Sequence, residues 1–250
     1  MSEDELKKLL SMAKEAALLA GKFLAEDPSA SRKINQDLIH DVKIEADIQS
    51  ERMILDFLTK NSEYSVLSEE NGMMKGVNGD YMWIIDPVDG SLNYSRKIPI
   101  CCISIGLWKR EEPILGVIYD FNHKELFSAV VGQGAWKNNG PIHVSATDTK
   151  QKGILLAGFP ALTDLSSSGI QNFIEHIQTY KKVRLLGSAA LSIAYVACGM
   201  AEAYYERDIM LWDVAGGIPL ILGAGGDVQI EKTLKPHCLN VLVTNGLVNQ

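Results

Sequence analysis

Residues 83–94, WIIDPVDGSLNY, run an apolar segment straight into two carboxylates, a proline and a glycine. Few local structures accept that order. Pro87 has no N–H to give a ladder and a fixed φ, so the pattern predicts a strand over 81–85 that delivers Asp86 to its end and then turns. The C-terminal edge of a strand is where the sites of α/β folds gather. The turn can set the carboxylates of Asp86 and Asp89 on one side, with the Val88 carbonyl between them. These are hard oxygen donors, suited to Mg²⁺ or Mn²⁺. Gly90 permits unusual backbone angles, and the amides after it can form an anion-binding nest. Asp-Pro and Asp-Gly are also ordinary turn dipeptides. This stretch alone leaves a metal site and a plain turn both open.

Three further segments carry carboxylates that could join it. In LSEENG, Glu69 and Glu70 follow another short strand, with room for a loop and a return strand before Asp86. In LWDVAGG, Asp213 opens a helix, where an acid otherwise serves as a cap. In EADIQSE, Asp47 stands at a helix start, where an acid also suits the helix dipole. LLGSAALS puts Gly187 and Ser188 at a strand-to-helix junction. Its N–H groups suit a phosphate or a sugar hydroxyl, or simply a capped helix. LGAGGD lacks the GxGxxG order and reads as a helix C-cap and turn.

The 250 residues can build one large domain or two small ones, and 46% hydrophobic with 22% charged residues is globular composition. A net charge of −7, with KKVR the densest basic cluster, argues against a nucleic-acid surface. MSEDELKKLL has no apolar signal-peptide core, and no apolar run reaches the length of a membrane span. Cys101, Cys102, Cys198 and Cys238 show no CxxC spacing and read as reduced thiols of a cytoplasmic protein, with Cys101 and Cys102 pointing to opposite faces of a strand. The histidines form no HxH or HxxxH pair, which makes zinc a poor fit.

Helices are predicted over 2–25, where Ser2 and Glu5 have capping-box spacing, and over 46–60. Residues 28–36 read as loop. Strands are predicted over 64–67, 81–85, 101–108, 114–119 and 126–130, and GQGAWKNNGP as a turn-rich connection. After about residue 145 strands and helices alternate. GILLAGF, VRLLG and AEAYYE read as strands, with helices over 166–180, 188–198 and 212–222. DVQI and NVLVT close the chain, leaving no room for a terminal helix. The expected organisation is an N-terminal α+β subdomain over 1–147 carrying most metal ligands and a C-terminal α/β subdomain over 148–250, parted in the polar SATDTKQKG.

WIIDPVDGSLNY, with LSEEN upstream and LWDVAGG downstream, resembles the three signature motifs of the inositol monophosphatase superfamily, and DVKIEAD resembles the segment before the first. The resemblance covers essentially the whole chain. It implies a layered αβαβα sandwich of the inositol monophosphatase/fructose-1,6-bisphosphatase type, commonly a homodimer. It also implies a Mg²⁺-dependent, Li⁺-sensitive phosphomonoesterase. Glu69, Asp86, Asp89, Asp213 and the Val88 carbonyl would hold two or three Mg²⁺, with Mn²⁺ a substitute. Asp47 and Ser91 would orient and deprotonate the attacking water, supported by Glu70. Asp89, Gly90 and Ser91 would meet the phosphate, and Gly187, Ser188, Ala189 and Glu206 the rest of the substrate. The implied substrate is inositol monophosphate or a related sugar or polyol phosphate. A 3′(2′),5′-bisphosphate nucleotidase or a fructose-1,6-bisphosphatase-like enzyme is the alternative.

This chain departs from the family pattern at four places. Ser91 and Ile44 stand where threonine is usual, Lys43 replaces an apolar residue, and the charged pair Arg207-Asp208 follows Glu206. Two other readings use different chemistry. A haloacid-dehalogenase-like enzyme with Asp86 as nucleophile needs an acid two residues on, where Val88 stands. A metal- or phosphate-responsive binding protein needs no catalysis at all.

Overall fold

The computed structural model describes residues 1–27, 29–37, 42–158 and 166–248. In chain order the elements begin with α1 (Glu3–Glu26), β1 (Ile34–Asp37), β2 (Val42–Ile44), α2 (Glu45–Asn61), β3 (Tyr64–Ser68), β4 (Gly72–Met74) and β5 (Asn78–Asp89). They continue with α3 (Ser91–Ser95), β6 (Cys102–Lys109), β7 (Glu112–Asp120), β8 (Glu125–Val130), β9 (Gly134–Lys137), β10 (Gly140–Pro141), β11 (Ile154–Ala157) and α4 (Ser167–Ile177). The last are β12 (Lys182–Leu185), α5 (Ala189–Ala197), β13 (Ala203–Met210), α6 (Leu211–Ala215), α7 (Gly217–Gly223), β14 (Asp227–Lys232) and β15 (Cys238–Thr244).

Alternation along the strands dictates the layers, because successive side chains leave a strand on opposite faces. One sheet has the order β10-β9-β8-β7-β6-β5-β3-β4. On one face Val66, Trp83, Ile85 and Ile103 pack under α1 and α2. On the other, Leu67, Ile84, Cys102 and Phe127 meet α5, α6 and α7. Cys101 and Cys102 accordingly fall on opposite faces. The same three helices cover Tyr204, Val241 and Val243 of the second sheet, ordered β12-β11-β13-β15-β14. Its far face places Leu155, Ala157 and Ala203 against Phe173 and Ile177 of α4. The result is an αβαβα sandwich. The polar connection between the sheets is tied to the second one. Buried Glu202 accepts from the Ser145 hydroxyl at 3.0 Å and from the Ile154 N–H, and Asn245 donates to the Thr147 carbonyl at 2.7 Å.

Four local readings change. The segment read as loop before Asp37 contains β1, which pairs antiparallel with β2. GQGAWKNNGP holds the hairpin β9–β10, and Asn138 turns it with φ 54°. The helix predicted over 212–222 is two, α6 and α7, broken at Gly216. The strand predicted to end at Asp86 continues to Asp89. Phe159 of GILLAGF lies outside the described residues, as does the side chain of Lys43. Among the described residues no helix is long and apolar enough to cross a membrane.

Candidate active site

β3 and β5 run parallel with Ser68 opposite Ile85, so Glu69 and Asp86 leave neighbouring strand ends side by side. The strand survives Pro87 by a bulge. Asp86 faces Ser104 of β6 while Asp89 faces Cys102, one residue more on β5 than on its partner. In an even strand Asp86 and Asp89 would point to opposite faces. The extra residue sends Val88 to the α1/α2 face beside Trp83 and Ile85 and brings both aspartates to the other. The real turn comes at Gly90, with φ 90°. A Cβ there would lie 2.9 Å from the Ile100 carbonyl and 3.1 Å from that of Gly187, so only glycine fits.

One face of α2 braces this bulge. Asp47, Ser50 and Glu51, spaced i, i+3, i+4, are all buried. Asp47 takes the Ile44 N–H at the helix start, at 3.1 Å, and Ile44 has no side-chain acceptor to give the Asp47 N–H in return. Its other oxygen faces the Ser91 hydroxyl at 3.3 Å. Ser91 has one proton to give, and the Val88 carbonyl is closer, at 2.9 Å. Ser50 donates to the Pro87 carbonyl at 3.0 Å.

Asp89 reaches across to the second half of the chain. It accepts from the Ser188 hydroxyl, the Ala190 N–H at 2.8 Å and the Ala189 N–H at 3.2 Å. The first amides of α5, expected to face a ligand, are thus engaged by a carboxylate, as a helix N-terminus favours. Asn93 holds the loop before them, donating to the carbonyls of Leu186 at 2.9 Å and Ile100 at 2.8 Å. Asp213 sits in the first turn of α6 and accepts from the Met210 N–H at 3.2 Å. Glycines deliver it. α6 packs on β5 and β6, where a Cβ on Gly106 would lie 2.5 Å from the Ala215 carbonyl. The Trp108 ring N–H locks that same carbonyl at 3.0 Å.

Glu206 on β13 accepts from the buried Tyr204 hydroxyl and packs its carboxyl against Gly158, where any Cβ would collide with it. Burial raises Glu206 from its ordinary 4.5 to about 7, with the charge of Asp89 adding to the rise and the Tyr204 hydroxyl opposing it. A raised carboxyl holds a proton in the folded state that the unfolded chain has released, so stability falls as pH rises between those values. Glu206→Gln removes that slope. The melting temperature of the variant relative to the parent should therefore climb from about pH 4.5 to about pH 7; a constant difference refutes the assignment.

Asp86 is pushed well above the usual carboxylate range by burial first, then by Glu69, Asp89, Asp213 and Asp47. Its strongest electrostatic neighbours are all carboxylates. Among the described residues no three Asp, Glu, His or Cys side chains stand close enough together to hold an ion. Asp86, Asp89 and Asp213 each turn an oxygen to a backbone N–H. The donor set itself, buried mutually repelling carboxylates beside a carbonyl and without nitrogen or sulfur ligands, fits a hard divalent cation.

The family model described as the inositol monophosphatase family matches residues 5–239. The chain belongs to the inositol monophosphatase family. Like other members it is a phosphatase, a hydrolase of phosphomonoesters, and the family is metal-dependent. An inositol-1-monophosphatase of Synechocystis is 35% identical over 100% of this chain and 88% of its own length. The Nus factor SuhB of Escherichia coli is 32% identical over 88% of this chain and 84% of its own. The solved inositol monophosphatase of Anabaena superposes with a TM-score of 0.82 at 36% identity, covering 97% of this chain and 92% of that one.

Within this family member the structure gathers residues that the motifs alone do not flag. Ser50 and Glu51 lie on the Asp47 face of α2, and their helical spacing was the available signal. Asn93 and Gly158 carry no such signal, because each acts on a residue far along the chain, whereas Tyr204 acts on Glu206 only two residues on, along the same face of β13.

Proposed function

We propose that this chain is a Mg²⁺-dependent phosphatase of inositol monophosphate or a related polyol phosphate, working as a cytoplasmic homodimer. The observation that carries this reading is the bulge at Pro87, which turns Asp86 and Asp89 to one side beside Glu69. Glu69, Asp86, Asp89, Asp213 and the Val88 carbonyl would hold two or three Mg²⁺, with Mn²⁺ able to substitute. When bound, the cations would neutralise phosphate charge and make water a better nucleophile. Asp47 and Ser91 would orient that water and take its proton, and Glu70 would steady it. The amides of Gly90 and Ser91, with Asp89, would meet the phosphate. Gly187, Ser188 and Ala189 would line the polyol, and Glu206 would accept one of its hydroxyls. Unbridged cysteines suit a reducing compartment.

Exposed Arg207, next to Glu206, supports the alternative of a second phosphate, as in a bisphosphate nucleotidase or a fructose-1,6-bisphosphatase. Turnover of inositol monophosphate, adenosine 3′,5′-bisphosphate and fructose 1,6-bisphosphate, with Mg²⁺ and with or without Li⁺, separates these. The highest kcat/KM should fall on inositol monophosphate and vanish on chelation. Undiminished turnover without a divalent cation overturns the metal reading.

A second test needs no substrate. Raised carboxyls bind protons in competition with a cation, so their folded-state stability falls with rising pH until Mg²⁺ takes the protons' place. Mg²⁺ should raise the melting temperature more at about pH 8 than at about pH 5.5. Equal shifts at both refute competition at this cluster.

A further inference from the structure

We infer that Glu51 is a positioning residue. Its buried carboxylate sets the turn carrying Glu69 and Glu70, and α2 thereby holds the two metal-bearing loops at a fixed separation. The inference rests on Glu69 being a metal ligand.

Glu51 is 0% exposed. Among the described residues it makes no ion pair with Lys, Arg or His. Burying a carboxylate so is costly unless hydrogen bonds surround it. Four donors do, and all belong to one turn. Glu51 accepts from the Ser68 hydroxyl at 2.9 Å, the Glu70 N–H at 2.9 Å, the Asn71 N–H at 3.0 Å and the Asn71 side-chain amide. Both oxygens accept from the turn that carries Glu69.

The turn needs this help. β3 returns into β4 with Ser68 opposite Gly72, and the three residues between them include Glu69. The Glu69 N–H reaches the Ile85 carbonyl of β5 at 3.3 Å, and Glu51 supplies the acceptor for the other two amides, those of Glu70 and Asn71. α2, in turn, is seated by Ile54, Leu55 and Leu58 in the core, independently of the loop. The same helix faces the Ser91 hydroxyl with Asp47, one turn before Glu51, and holds the Pro87 carbonyl through Ser50, the residue just before it. Glu69 comes from one loop and Asp86 and Asp89 from the other. A cation held by residues of both would be sensitive to small changes in their spacing, and groups that orient ligands commonly control metal affinity about 10–100-fold.

Glu51→Gln keeps the size but sets an amide N–H₂ against backbone N–H donors. Mn²⁺ binding, read from the loss of the free-ion electron paramagnetic resonance signal, reports on the site without catalysis. Glu51→Gln should weaken Mn²⁺ binding about 10-fold or more, while near-UV circular dichroism stays that of the parent and kcat recovers at high cation. If Glu51→Gln does not fold, Asn71→Ala, which removes one donor, decides by the same readout with a smaller weakening expected. A folded Glu51→Gln, or in its absence a folded Asn71→Ala, with the Mn²⁺ affinity of the parent overturns the inference. Glu69→Gln separates the two levels. If it weakens Mn²⁺ binding and Glu51→Gln does not, only the positioning role fails; if it does not, the ligand reading fails and the inference with it.

Discussion

Asp89→Asn should lose more than about 100-fold in kcat/KM, beyond the range seen when an outer-shell partner of a metal ligand is removed, while its melting temperature stays close to that of the parent. The asparagine oxygen can still accept from Ser188 and Ala190, so α5 keeps its start. What goes is the negative charge that a divalent cation needs. Asp89→Ala should lose the same activity and also stability. It leaves the Ala189 and Ala190 N–H groups at the start of α5 without their acceptor, while Ser188 still caps the Leu191 N–H. Loss of an acceptor at a helix start costs about 1–2 kcal/mol. That corresponds to a melting temperature lower by about 2–8 °C for a chain of this size. Steady-state kinetics and thermal unfolding on both variants check the pair. Activity of Asp89→Asn within a few-fold of the parent sinks the role of Asp89 as a charged ligand.

Gly116→Ala should damage the protein from the opposite side. A Cβ at Gly116 would stand 2.0 Å from the Gly216 carbonyl, and a Cβ at Gly216 would stand 3.0 Å from the Val117 carbonyl. Here the break between α6 and α7 lies directly on the backbone of β7, with no side chain between. Neither backbone can rotate out of the way, so the layers must part. Overpacking of this kind costs about 3 kcal/mol, or about 6–12 °C in melting temperature. Because α6 carries Asp213, kcat should fall as well, by about tenfold or more if the carboxylate shifts by an ångström. Gly79→Ala is the control, since nothing lies within 4 Å of the Cβ it would add. A Gly116→Ala protein that melts with the Gly79→Ala control refutes the close packing.

These two glycine positions mark where reading the chain stops. LWDVAGG shows a helix start and a pair of glycines, but not that the pair exists to let a sheet backbone approach. That contact joins residues about a hundred positions apart, and no local pattern encodes it. Asp89 is a similar case. Its neighbourhood in WIIDPVDGSLNY announces an acid beside a turn, yet its carboxylate accepts from Ser188, Ala189 and Ala190, which enter only when α5 docks. Glu51 was legible in principle, one helical turn beyond Asp47, but a buried acid and a solvated one look alike in a sequence.

By itself the sequence determined the α1 cap, the apolar alternation that sorts strand faces, the glycine turn after Asp89 and the three motif segments that place this chain in its family. Each depends on short-range sterics or on spacing within one element, which neighbours along the chain decide. Only the tertiary structure decided that Pro87 makes a bulge rather than an end, because that depends on the register of β6 beside it. Only the tertiary structure turned Asp86 and Asp89 to the same face, engaged the start of α5 with Asp89 and set Glu51 under the Glu69 turn. Those are contacts between elements, and their geometry is set by how the layers pack.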